Sequence, residues 1–295
     1  MNPNPKQIKN PTTPEQVEEA LKMLVIQGPE YFDMAQSLID RNRSPFILIK
    51  NPDGTFIYRS QYTAGEQWLK KFITVDHKTI KMKEDALKAS LTPYEVLICG
   101  STGTGKELIA KGMIGKRDGC IRAINCAAMP RELIESELFG HKKGSFTGAV
   151  GEKEGLITAA TKGVMFLDEI GELPLEHQSK LLRVIQEGTL RKVGGNEEEK
   201  IDCKFVFATN RDLKEMVLKK HFREDLYARI MALELNIGPI KDRMCDIKPI
   251  CESLVGGIEF YEKFKDELQC GRLDLSLNVR SIQAYIRRYN TWGRI

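Results

Sequence analysis

The run Gly100-Ser101-Thr102-Gly103-Thr104-Gly105-Lys106, followed by Glu107, is the first stretch of this chain whose residue types could do chemistry. Glycines let a backbone wrap closely enough around phosphate oxygens for its N–H groups to point inward. A helix starting directly behind such a loop adds partial positive charge. Lys106 is spaced to reach β- and γ-phosphates as a point charge. Glu107 stands where most loops of this kind carry the Ser or Thr hydroxyl that holds Mg2+. The second stretch is Asp168-Glu169, which closes the apolar run Val164-Met165-Phe166-Leu167. Asp168 suits the shell of a Mg2+ ion, and Glu169 suits the orientation or polarisation of an attacking water. An apolar run ending in Asp-Glu is a weak signal alone; a phosphate loop ahead of it in the chain makes it specific. A third apolar run, Phe205-Val206-Phe207-Ala208, ends in Thr209-Asn210.

These residues need elements to carry them. Val96 to Cys99 reads as a buried strand running into the glycine loop, and Leu108-Ile109-Ala110 as the start of a helix behind it. A plain glycine-rich turn would account for the loop but not for Lys106 between a strand and a helix. Cys120 to Cys126, Val164 to Leu167 and Phe205 to Ala208 read as further strands. Residues 131–139 read as a helix with Leu133, Ile134 and Leu138 near one face, and Pro174 to Gly188 as a helix with Leu181, Leu182 and Ile185 inward. Strands alternating with helices imply a parallel sheet covered on both faces, with ligands bound beyond the carboxyl ends of its strands. Gly100, Asp168 and Asn210 all fall at such ends and can converge on one nucleotide.

Ahead of this region, residues 1 to about 14 read as a flexible arm. A helix follows from Pro14 with Thr13 as its N-cap, then a second helix over Tyr31 to Ile39. Phe46 to Ile49 and Thr55 to Tyr58 flank the turn Asn51-Pro52-Asp53-Gly54 and predict a hairpin. Together these form a small α+β region, and a charged helix over Lys81 to Ser90 leads out of it. Composition excludes several classes. Hydrophobic residues make up 41% of the 295, enough for a substantial core, and the net charge of +4 is too slight to indicate nucleic-acid binding by itself. The seven cysteines include no CxxC pair, which argues against a zinc site or a disulfide framework and for a reducing compartment. With a polar, proline-rich start and no long apolar run, a soluble cytoplasmic protein is expected.

Beyond these readings the sequence resembles the AAA+ ATPase domain of the bacterial enhancer-binding proteins that activate sigma-54 RNA polymerase, over about Val96 to Ile247. GSTGTGKE resembles that family's Walker A loop, in which Glu follows Lys. Glu135 to Ala149, ESELFGHKKGSFTGA, resembles its most distinctive stretch, a GAFTGA loop, here with Ser145 for Ala. Gly163 to Gly195, Ala208 to Leu213, and Phe222 to Arg229 also follow the family. The resemblance implies ATP and Mg2+ as cofactors, a homo-oligomeric ring (hexamer or heptamer), and sigma-54 holoenzyme as partner, with promoter DNA reached only indirectly and no membrane involved. It implies Thr209 and Asn210 as a first sensor of the γ-phosphate, Asn125 as a switch partner of Glu169, and Arg223 and Arg229 as fingers reaching the ATP of a neighbouring subunit. It also implies that Gly144, Ser145, Phe146, Thr147, Gly148 and Ala149 contact sigma-54. Gly144 and Gly148 would act as hinges, Phe146 as an apolar contact and Thr147 as a polar one.

One departure bears on function. The family's lid carries Trp-Pro-Gly-Asn-Val-Arg, whose Arg is the second sensor; here Tyr289 to Ile295 looks like the start of that motif, broken off and lacking its Pro. Asn278-Val279-Arg280 imitates the missing triplet but reads as a decoy at the N-terminal end of the preceding helix. The expected organisation is therefore an N-terminal α+β region at 1–83, an AAA+ nucleotide-binding domain at 84–239 and an incomplete helical lid at 240–295. Two functions follow. One is an ATP-hydrolysing activator that remodels sigma-54 holoenzyme for promoter opening. The other is a nucleotide-binding regulator with weak or no hydrolysis that binds sigma-54 or poisons rings of full-length relatives.

Overall fold

The computed structural model describes residues 14–41, 46–51, 53–60, 63–145, 149–255, 258–271 and 273–292. The expected arm at 1–13, the Thr13 cap, the loop tip Phe146-Thr147-Gly148 and the terminal Gly293-Arg294-Ile295 lie outside them. The chain divides into two compact units, one ending at Thr63 and one beginning at Ala64.

The first unit contains helices α1 (Pro14–Gln27) and α2 (Phe32–Arg41) and strands β1 (Phe46–Lys50) and β2 (Phe56–Ser60). Val17, Leu21 and Leu24 of α1 pack with Ala35 and Ile39 of α2 and with Phe56, a small core of its own. The expected hairpin is present, with Lys50 opposite Phe56. Its turn closes through Asn51 N–H to Thr55 O at 2.8 Å, and Gly54 takes φ +88°, a conformation that glycine adopts without strain.

The second unit holds α3 (Ala64–Lys71), α4 (His77–Ser90), β3 (Val96–Gly100), α5 (Lys106–Gly112), β4 (Ile121–Asn125), α6 (Arg131–Phe139), α7 (Leu156–Ala159) and β5 (Val164–Asp168). It continues with α8 (Leu175–Glu187), β6 (Thr189–Leu190), β7 (Glu199–Lys200), β8 (Lys204–Thr209), α9 (Leu213–Leu218), α10 (Glu224–Ile230) and β9 (Leu233–Ile237). Helices α11 (Ile247–Val255), α12 (Ile258–Gln269) and α13 (Val279–Trp292) complete it. A five-stranded parallel sheet in the order β4-β5-β8-β3-β9 forms its centre.

Alternation along each strand splits the core into two layers. Leu97, Met165, Leu167, Phe205 and Phe207 face one layer with α6, α8, α9 and α10. Val96, Ile98, Val164, Phe166, Val206 and Ala208 face the other with α3, α4 and α5. The sheet is thus covered on both faces, as parallel sheets are. Because Leu69, Met82, Ala86 and Ala89 belong to the second layer, α3 and α4 pack on the sheet, and the expected division at 83 falls inside α4. Strand β9 had no counterpart in the sequence reading. Its Leu-Glu-Leu-Asn-Ile pattern buries Leu235 and Ile237 while Glu234 and Asn236 stay exposed, as suits the edge position beside β3. Residues from α11, α12 and α13, including Ile250, Phe264 and Ile282, form a further core with Ile240.

Two positions set testable stability terms. Lys204 is fully buried, yet its Nζ donates to the carbonyls of Ala89 at 3.0 Å, Thr92 at 2.9 Å and Tyr94 at 2.6 Å. Burial pushes its ammonium down to about 8, so at neutral pH it remains charged and has one proton for each carbonyl. It therefore caps the end of α4 and pins the turn into β3. Lys204→Met should remove three charge-assisted hydrogen bonds made by a buried side chain and lower unfolding stability by roughly 2–4 kcal/mol in denaturant titrations, whereas Lys88→Met on the exposed side of α4 should stay within about 0.5 kcal/mol. Lys220, at φ +58° just beyond α9, occupies the left-handed position that follows many helices and favours glycine. Lys220→Gly should raise stability by about 1 kcal/mol in the same titration.

Candidate nucleotide-binding site

Strands β5, β8 and β3 are neighbours and run parallel, so their carboxyl ends lie side by side. That arrangement brings Asp168, Thr209 and Gly100 to one edge of the sheet, with the phosphate loop bridging from β3 to α5. Within the loop, Gly103 takes φ +79°, and a Cβ there would stand 2.1 Å from the carbonyl oxygen of Leu277. Gly105 takes φ +108°, and a Cβ there would stand 2.6 Å from the ring of Phe72. Both backbone angles and both approaches require glycine. The loop, Phe72 and the segment leading into α13 thereby enclose a cavity of about 630 Å³, within the usual range for small-molecule sites. Thr102 to Leu108 form one part of its lining; Asn125, Asp168, Glu169 and Asn210 form another. Phe72, Ile73, Ile250, Leu254 and Val279 make an apolar end.

Lys106 is buried, with its Nζ 2.8 Å from Gly100 O and 3.5 Å from Glu169 Oε1. Glu169 adopts φ +51°, a left-handed conformation rare for a residue with a side chain. Its Oε2 accepts from Asn210 N–H at 3.1 Å. The carboxylate is thus suspended between the loop lysine and the end of β8. Asp168 accepts from Glu169 N–H at 3.1 Å and from Asn125 Nδ2 at 3.2 Å. Burial, and then the neighbouring Glu169 carboxylate, push the Asp168 carboxyl above its ordinary value. A cation beside it would relieve both effects.

Asn125 lies opposite Asp168 in the sheet register, and its Oδ1 accepts from the N–H groups of Ala127 and Ala128 at 2.9 and 3.2 Å. Its amide is therefore oriented to donate to Asp168; the side chain contacts that residue and not Glu169 in this structure. Asn210 Nδ2 donates to Thr102 Oγ1 at 3.1 Å, linking the end of β8 to the phosphate loop. Thr209 is buried, and its hydroxyl accepts from Arg211 N–H. Glu107 lines the cavity while pairing with Lys111 at 2.8 Å. The glycine cradle, buried Lys106 and hard oxygen donor Asp168 fit a nucleoside triphosphate with Mg2+.

Asn278-Val279-Arg280 stands at the N-terminal end of the helix that ends at Trp292, as expected, and it also touches the phosphate loop. Asn278, at φ +55°, donates from Nδ2 to Thr102 O at 2.8 Å and accepts from Ile240 N–H at 2.7 Å. Val279 N–H donates to Gly103 O at 3.1 Å, so α13 begins directly on the phosphate loop and Arg280 lines the cavity. Tyr289 to Trp292 form the end of α13. Nothing in the triplet's spacing announced its contact with the phosphate loop.

Arg223 and Arg229 are not brought into the cavity. Arg223 pairs with Asp225 at 2.7 Å and Arg229 with Glu95 at 3.1 Å, and both are partly exposed. The base of the expected partner loop is built against the β6–β7 hairpin. His141 bridges to both Lys153 and Val193, and Gly144, at φ +80°, donates to Ala149 O at 2.9 Å. Glu152 pairs with Lys142 at 3.3 Å and with Lys192 at 2.9 Å. Ser145 packs on Gly194, and its buried hydroxyl has no hydrogen-bond partner among the described residues.

The family matched by residues 72–236 is the Sigma-54 interaction domain. Regulatory protein AtoC of Escherichia coli (strain K12) is 43% identical over 202 residues, covering 68% of this chain and 42% of that protein. Sigma54-dependent transcriptional activator SfnR of Pseudomonas putida is 42% identical over 203 residues, covering 68% of this chain and 53% of that one. The chain thus spans about half the length of these curated relatives, or less. The crystal structure of NtrX from Brucella abortus in complex with ATP superposes with a TM-score of 0.56 at 27% identity, covering 61% of this chain and 41% of NtrX. The matched residues take in the phosphate loop, Asp168-Glu169, Asn210, both arginines and the Ser145 loop. This chain belongs to the Sigma-54 interaction domain family and carries its AAA+ P-loop fold.

Proposed function

We propose that this chain binds ATP with Mg2+ and hydrolyses it to remodel sigma-54 RNA polymerase holoenzyme for promoter opening. The observation that carries the reading is the convergence of Lys106, Asp168, Glu169 and Asn210 on one cavity floored by the glycine loop. Lys106 and the loop N–H groups hold the phosphates, and Asp168, steadied by Asn125, serves as the oxygen ligand of the metal. The bound Mg2+ supplies charge neutralisation of the transferring phosphoryl group. Glu169 orients the attacking water once its present partners Lys106 and Asn210 N–H release it. Asn210 reads the terminal phosphate and, through Thr102, reports it to the loop. Arg280 brings a positive charge from α13 to the same phosphates.

Arg223 and Arg229 act in a neighbouring subunit of a ring. Their guanidinium groups are partly exposed, so their present carboxylate partners Asp225 and Glu95 can be exchanged for phosphate contacts. In each subunit Phe146 and Thr147 meet sigma-54, from a loop whose base is braced by the ion pairs of Glu152. The nucleotide domain expected at 84–239 extends back over α3 and α4, and 240–295 serve as its lid. The alternative of a weakly hydrolysing regulator started from the lack of a second-sensor arginine; Arg280 in the cavity lining supports the hydrolysing reading over it.

Lys106→Ala should reduce ATP turnover about 100-fold or more, because the buried cation closest to the phosphates is lost. Equal rates in the two proteins would reject the assignment. Arg280→Ala should weaken a fluorescent ATP analogue by about 10-fold, the worth of a charge-assisted hydrogen bond, in a direct titration. Unchanged affinity and unchanged turnover together would remove Arg280 from the site.

A further inference from the structure

We infer that Arg243, held by Asp246, is a positioning residue that couples the root of the lid to the nucleotide cavity; this rests on the nucleotide reading above. The pair is almost wholly buried, with Arg243 Nη1 2.9 Å from Asp246 Oδ2. Asp246 also accepts from Thr74 Oγ1 at 2.8 Å, Val75 N–H at 2.6 Å and Asp76 N–H at 3.1 Å. One carboxylate therefore clamps the segment just before α11 to the segment that enters α4.

Arg243 extends the clamp to the site. Its Nη2 donates to Thr104 O at 3.0 Å and its Nε to Gly238 O at 3.1 Å. The guanidinium lies 5.5 Å from the centroid of the Phe72 ring, and that ring is the surface against which Gly105 is packed. One side chain thus supports two consecutive loop residues, Thr104 directly and Gly105 through Phe72, and also lines the cavity itself. A displacement of the lid root must move Arg243, and with it the backbone that cradles the phosphates.

Stability alone does not account for the arrangement. A buried ion pair can often be replaced by apolar residues of similar volume without loss of stability. Apolar residues could not make directed bonds to the α4 entry, the strand exit at Gly238 and the phosphate loop together. Linkage then requires the converse: nucleotide held by the loop must stiffen the lid root, and weakening the link must shrink the stabilisation that nucleotide confers.

The test is Arg243→Lys, which keeps the charge beside Asp246 but cannot reach Asp246, Thr104 O and Gly238 O together. Affinity for a fluorescent ATP analogue should fall about tenfold, as expected for one lost charge-assisted bond, with turnover at saturating ATP within about twofold of the unaltered chain. The rise in melting temperature on adding saturating nucleotide should shrink in parallel. Thr74→Val, which removes one donor from Asp246, should show the same split at about two- to threefold, and it carries the test if the lysine variant fails to fold. Lys204→Met serves as the control, since it should lower the melting temperature without changing nucleotide affinity. Unchanged affinity in folded Arg243→Lys, or a loss that the control reproduces, would overturn the inference while leaving the nucleotide reading intact. Absence of nucleotide binding by the unaltered chain would overturn that reading and this inference with it.

Discussion

The absence of a side chain at Gly103 is the constraint on which the site depends. Leu277 O stands 2.1 Å from where a Cβ would be, and Val279 N–H bonds to Gly103 O. Any larger residue would push the start of α13 off the phosphate loop. Arg280 and the apolar residues of the lid would then leave the cavity, and Asn278 would lose its bond to Thr102. Gly105 imposes the same condition on the opposite side, where Phe72 fills the space. The naked backbone usually explained as a cradle for phosphate serves equally as a seat for two packed neighbours.

Around that seat several charges are held by specific partners. Lys106 faces Glu169, Asp168 is held by Asn125, and Arg243 is buried against Asp246. Glu169 carries a left-handed backbone angle that costs on the order of 1 kcal/mol or more, maintained by the bonds its carboxylate makes to Lys106 and Asn210. The exposed pair Arg223–Asp225 lies away from the cavity and holds its partner weakly, and Arg229, paired to the buried Glu95, keeps its own guanidinium half exposed. Buried pairs fix geometry, and exposed pairs leave arginines available for another surface.

Much of this was legible in the residues. The strands β3, β4, β5 and β8 are short apolar runs ending in chemistry-bearing residues, and their order with intervening helices demands a parallel sheet. The glycine loop, Lys106, Asp168-Glu169 and Asn210 are local signals, since each is a type at a spacing. The hairpin at Asn51 to Gly54 was legible for the same reason: turn chemistry is local. Strand β9 was not, because two of its five residues are polar and only its place at the edge of the sheet explains them. The division at 63 was not either, since α3 and α4 read alike whether they pack on the sheet or on the hairpin.

The sequence by itself determined the chemistry available, a phosphate-binding loop with a lysine and a carboxylate pair on a parallel sheet, because those features depend on neighbours along the chain. Only the tertiary structure decided that Asn278-Val279-Arg280 sits on the phosphate loop, that Asn125 serves Asp168, and that Arg243 stands behind Thr104. Each of those contacts joins residues far apart in the chain. Their partners are backbone carbonyls and carboxylates that many positions could offer, so no spacing rule selects them; sheet register does for Asn125, and the seating of the lid segments on the phosphate loop does for the other two.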